Sequence, residues 1–181
     1  MSTNLNLTLN ITGNGTLAGP SDITTPSSVI TIGNNWPTMK TTLTYGTAAN
    51  QAKNWYLKKR TLAAGANDDL DLSGGLTNEV GDTGIIFLAI KVLLIAILSP
   101  DGVKKLKVGP GAGAGGTLVA NAFIGPWASA ASSFVQIDNF GLPINHPWGG
   151  YAVTSGTADI LRINNPGAGS VDYNLLIVGT V

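Results

Sequence analysis

The sequence predicts an all-β fold: an antiparallel β-sandwich or jelly roll with an N-terminal strand or arm. Three observations carry the prediction. Twenty-four glycines and nine prolines punctuate the chain from end to end, as expected of many short strands joined by tight turns. Several segments alternate apolar and polar residues with the period of two that marks a half-buried strand. No segment shows the 3.6-residue periodicity of an amphipathic helix.

The elements follow in order. Leu5, Leu7, Leu9 and Ile11 alternate with Asn6, Thr8, Asn10 and Thr12, and Gly13-Asn14-Gly15 ends the strand with turn chemistry. Such a strand either closes the domain's own sheet or docks on a neighbour. Ala18 to Ser28 holds Pro20 and Pro26 and reads as a loop or extended connector. Val29–Ile32, Met39–Tyr45 and Trp55–Ala63 read as strands, the last with neither side cleanly apolar. Gly65 to Gly75 is turn-rich, with Asp68, Asp69 and Asp71 satisfying nearby amides and with Leu70, Leu72 and Leu76 as apolar anchors. Ile85 to Leu98 is a continuous apolar run broken by Lys91. Its β-branched content favours a strand buried on both faces. Pro100-Asp101-Gly102 turns the chain into a hairpin with Val103–Val108. Gly109 to Gly116 is a flexible loop, and strands follow at Leu118–Ile124, Phe134–Ile137, Tyr151–Thr154, Ile160–Asn164 and Val171–Val178.

Length and composition bound the organisation. The 181 residues fit an N-terminal strand and connector over 1–28 and a single sandwich domain over 29–181. Charged residues are only 11% of the chain, against about 25% in typical soluble domains. A surface this poor in charge points to cover by partners. Ten basic and ten acidic residues cancel, which argues against nucleic acid as a partner. The absence of cysteine removes disulfides and thiolate metal sites. No signal-peptide pattern opens the sequence, and the apolar run is too short and too charged at its middle to span a membrane.

Each constellation that could do chemistry has a plainer reading. His146, the single histidine, sits between Asn145 and Pro147 in a Pro/Gly-rich loop without a Gly-x-Ser-x-Gly elbow. Asn67, Asp69 and Asp71 resemble the start of a calcium loop, but Leu72 and Asn78 occupy the positions that need Gly and Glu. Gly111-x-Gly113-x-x-Gly116 matches a dinucleotide fingerprint in letters only, because strand rather than helix is expected after it. The expectation is no catalytic residue, no metal and no cofactor. Trp36, Trp127 and Trp148 lie beside Pro or Gly in loops. They are candidate interface anchors together with Leu5, Leu7, Leu9 and Ile11.

An ordered set of phrases carries a resemblance. It runs from Arg60-Thr61-Leu62-Ala63-Ala64-Gly65 and Asp69-Leu70-Asp71-Leu72-Ser73-Gly74-Gly75-Leu76, through Ile90-Lys91-Val92 and Leu106-Lys107-Val108-Gly109, to Gly125-Pro126-Trp127. It continues with Gly150-Tyr151-Ala152-Val153-Thr154, Thr157-Ala158-Asp159-Ile160-Leu161-Arg162-Ile163 and Tyr173-Asn174-Leu175-Leu176-Ile177-Val178-Gly179. Over residues 53–181 the chain resembles small virion proteins of tailed bacteriophages. The resemblance implies a capsid decoration (cement) protein, with the major capsid protein for partner and the virion surface for location; decoration sites at local symmetry axes favour closed oligomers, so a homotrimer of its own copies is expected. It implies no site residues. A tail, fibre or host-attachment component binding surface glycans, and a self-assembling shell or filament subunit, are the alternatives.

Overall fold

The structure, a computed structural model, describes residues 7–11, 39–98, 101, 103–111, 118–127, 132–138 and 141–181. These contain no helix. Twelve strands form among them: β1 (Leu7–Ile11), β2 (Met39–Tyr45), β3 (Gln51–Ala52), β4 (Asn54–Leu62), β5 (Asn67–Asp71), β6 (Ala89–Ile97), β7 (Leu106–Val108), β8 (Val135–Ile137), β9 (Gly141–Asn145), β10 (Tyr151–Ala152), β11 (Ile160–Asn164) and β12 (Val171–Thr180). The all-β expectation holds.

Two antiparallel sheets make a sandwich. The first runs β4-β12-β6, and β9 and β10 share the far side of β6; the second runs β5-β11-β7-β8. Alternation decides what lies between them. Val171, Tyr173, Leu175 and Ile177 of β12, and Leu93, Ile95 and Ile97 of β6, face Leu70, Leu106, Val108, Ile137, Leu161 and Ile163 of the other sheet in one buried core. Each such side chain contributes about 1.5–3 kcal/mol on leaving water.

The outer face of the first sheet is also covered at one end. Leu43 of β2 and Ala52 of β3 pack against Val92 and Val178, with Trp55 and Leu176 at the margin. This is why β6 reads as apolar on both sides. β2 pairs in parallel with β3 and antiparallel with β1, from Leu7 opposite Leu43 to Ile11 opposite Met39. The alternating N-terminal strand therefore pairs within its own chain.

Several expectations need correction. Residues 85–108 do not form a hairpin. β6 lies between β12 and β9/β10, whereas β7 lies between β11 and β8 in the opposite sheet. β6 and β7 thus face each other from opposite sheets, and both contribute side chains to the shared core. Leu118–Ile124 is not a strand: Asn121 takes a left-handed φ of 54°, and only an isolated bridge, Ala122 to Ile160, remains. Residues 67–71 form β5 rather than a turn. β9 is an additional strand despite Pro143, which is tolerated on an edge. The expected strand at Val29–Ile32 and the connector at Ala18–Ser28 lie outside the described residues.

Candidate interaction site

One end of the sandwich is organised around a lysine that an apolar strand has to accommodate. On β6, Val92 sits opposite Val178 and Ile90 opposite Gly179, so Lys91 is an extra residue in the ladder. A bulge of this kind re-aims its side chain. Lys91 is only 2% exposed. Its ammonium donates to the carbonyls of Ala48 at 3.1 Å, Pro147 at 3.1 Å and Trp148 at 3.0 Å. That uses all the donors an ammonium has. All three acceptors are neutral, and burial lowers the lysine's pKa.

Those carbonyls belong to two loops, the β2–β3 connection and the β9–β10 turn, which the lysine ties together. The Asn50 amide adds a bond to the Pro147 carbonyl at 2.8 Å. Histidine closes the turn from below. The His146 amide donates to the Lys91 carbonyl at 2.8 Å, and the His146 carbonyl accepts from the Gly150 amide at 3.0 Å. His146 Nδ1 accepts from the amides of Gly150 at 2.9 Å and Gly149 at 3.3 Å, which assigns the neutral ring's proton to Nε2. The imidazole meets Tyr151 edge-on at 4.9 Å. Gly150, at φ +75°, passes so close to β6 that a Cβ would lie 3.0 Å from the Ile90 carbonyl. His146 thus acts as a structural cap in this turn.

The turn's backbone is satisfied from inside, and its one large side chain points away. Trp148 is 72% exposed. Tyr45, 43% exposed, ends β2 beside the other loop. No Asp, Glu, Lys or Arg occurs in Thr41–Ala52 or Gly141–Ala158, so the charge tying these two loops together is the one held inside.

The other candidate anchors are placed differently. Trp127 packs against the main core, edge-to-face with Phe123 at 6.4 Å, and its indole nitrogen is buried without a hydrogen-bond partner. Leu7, Leu9 and Ile11 belong to β1, with backbones paired to Leu43, Thr41 and Met39. Leu5 and Trp36 lie outside the described residues. Of the two loop tryptophans among the described residues, Trp148 is the one set out in solvent. Lys91 was legible only as an interruption of an apolar run; its need for acceptors was the available signal. A search of family models finds no match to this chain, and neither does a search of curated proteins.

The aspartates thought to cap a turn do so only in part. Asp71 accepts from the amide and hydroxyl of Ser73 at 2.9 and 3.1 Å. Asp68 and Asp69 instead bind arginines, Arg60 and Arg162, each through two bonds. Among the described residues, no three His, Cys, Asp or Glu side chains gather where they could hold a metal ion, and no helix is long and apolar enough to cross a membrane.

Proposed function

We propose that this chain is a non-enzymatic structural protein of a phage particle, a decoration protein that binds and stabilises the capsid shell. The strand order is the observation that carries the reading. With β10 set aside as a continuation of β9, eight strands run from β4 to β12 through the sandwich. The first pairs with the last, the second with the seventh, the third with the sixth and the fourth with the fifth. β12 also pairs β6, and β11 also pairs β7. That order supports a jelly roll, the architecture of viral capsid domains and of lectins. Because one fold hosts many functions, the charge-poor composition and the likeness to small virion proteins are the further support.

The mechanism is adhesion. Apolar area buried on the shell contributes about 25 cal/mol per Å², and copies linked in a closed oligomer reinforce one another. The partners are the major capsid protein and two further copies of this chain, in a homotrimer at the capsid surface. The test is to mix the purified protein with expanded, empty capsids and to image the pelleted particles by electron cryo-microscopy. Density for a trimer at local three-fold positions is expected. A shell that sediments without this chain removes the proposal.

A further inference from the structure

We infer that the β9–β10 turn is a binding platform for a neutral saccharide, with the Trp148 indole as its stacking surface and Lys91 as the positioning residue beneath it. The inference stands apart from the capsid proposal, since a chain absent from the shell could still bind sugar here.

The geometry supplies the platform before any ligand arrives. The carbonyls of Pro147 and Trp148 are taken by Lys91, and the amides of Gly149 and Gly150 by His146. The turn therefore has little left to order on binding, which removes part of the usual entropic cost. What remains facing solvent is a largely uncovered ring. The polarised C–H bonds on one face of a pyranose meet the negative face of such a ring favourably. Exposed Thr47 and Asn50 lie in the loop clamped to the same ammonium, and they are suited to sugar hydroxyls.

The surroundings decide the class of occupant. A stable protein interface covers about 800 Å² per partner and centres on several apolar anchors. Between Gly141 and Ala158 Trp148 is the only large apolar side chain among those exposed, flanked by Pro147 and by glycines. The indole and the partly exposed Tyr45 ring together offer at most about 500 Å², short of a protein face, and the indole alone suits one or two sugar rings. A nucleic-acid base would also stack, but it brings a phosphate chain that needs outward-facing cations. The two loops carry none. The same lack of cations selects uncharged over sulfated or acidic glycans.

The full chain is tested by saturation-transfer NMR and calorimetry against trisaccharides of glucose, galactose, mannose and N-acetylglucosamine, with a heparin hexasaccharide as the anionic control. At least one neutral trisaccharide is expected to bind. Trp148→Ala should weaken it by about tenfold or more without moving the thermal midpoint, and Trp148→Phe should keep part of the affinity. In Lys91→Met the Trp148 indole N–H resonance should broaden and affinity fall although the ring is intact. Should that variant not fold, the Trp148 pair decides alone. No binding by any trisaccharide, binding unchanged in Trp148→Ala, preference for heparin, or capture of a protein through Trp148 without any saccharide response each overturns the inference.

Discussion

Asp68 and Asp69 are neighbours on β5, and replacing each with Asn should have very different consequences. Both bind an arginine through two hydrogen bonds, Arg60 for Asp68 and Arg162 for Asp69. Consecutive strand residues point to opposite faces, so the two pairs sit in different media. The Asp68 side chain is 13% exposed and also accepts the Tyr173 hydroxyl, while Arg60 donates onward to the Tyr56 hydroxyl at 2.8 Å. This network ties β4 and β12 of one sheet to β5 of the other. Burial works against the Arg60 charge, but the hydrogen bonds and charge of Asp68 outweigh it and raise its pKa. Burial, followed by the bond to Asp68, raises the Tyr173 phenol as well. Asp69 is 40% exposed and meets Arg162 directly across the β5–β11 ladder. Removing one partner of a buried pair costs about 3–5 kcal/mol. The Arg60 side chain keeps 29% of its surface in water, so solvent screening reduces the expectation for Asp68→Asn to about 2–4 kcal/mol. Asp69→Asn should cost about 0–1 kcal/mol. With a urea slope near 2 kcal/mol per molar, the midpoints should fall by about 1–2 M and by less than about 0.5 M. Urea titrations followed by tryptophan fluorescence at pH 7 measure both, and repetition at high salt should shrink only the Asp69 effect. Equal shifts, or a larger one for Asp69, would refute the assignment of the two pairs.

Three further outcomes are expected. Gly179→Ala should cost about 3 kcal/mol or more, since a Cβ there overlaps the Ala89 carbonyl and comes within 2.9 Å of Phe87; Gly169→Ala, with nothing within 4 Å, is the control, and similar urea midpoints for the two would contradict this packing. Burial holds the Lys91 ammonium below its ordinary 10.5, so between its lowered value and 10.5 the unfolded chain binds more protons than the folded one, and stability rises with pH across that window. Lys91→Met should lack this contribution, and comparing wild type with variant at pH 7 and 10 separates it from the tyrosines; identical slopes would exclude it. Trp127→Ala should destabilise by about 2–4 kcal/mol, since it removes a partly buried ring packed on the core, whereas Trp148→Ala should stay within about 0.5 kcal/mol; thermal unfolding of both variants would show the reverse order if the two tryptophans were misassigned.

Much of the strand content was legible because it rests on local pattern. Met39–Tyr45 and Ile160–Asn164 appear as strands with the same limits read from the sequence. The long apolar run at 85–98 contains the central strand β6. Of the expected apolar anchors, Leu70 and Leu72 are buried and Leu76 is partly buried against the core. β9 was missed because Gly141 and Pro143 look like punctuation, which an edge strand can carry. The candidate site was legible only in part. Three tryptophans beside Pro or Gly looked alike in sequence, yet Trp127 is packed against the core and Trp148 stands in solvent.

What the sequence determined by itself was the fold class and the alternating faces, because a period of two is written in consecutive residues. Tertiary structure decided the rest. It put β6 and β7 in opposite sheets, sent Asp68 and Asp69 to separate arginines, and bulged β6 at Lys91 so that one ammonium could bind carbonyls from two distant loops. Most of these partners lie tens of residues apart, Arg60 and Asp68 at eight being the exception, and they become neighbours only once the strands are arranged in their sheets.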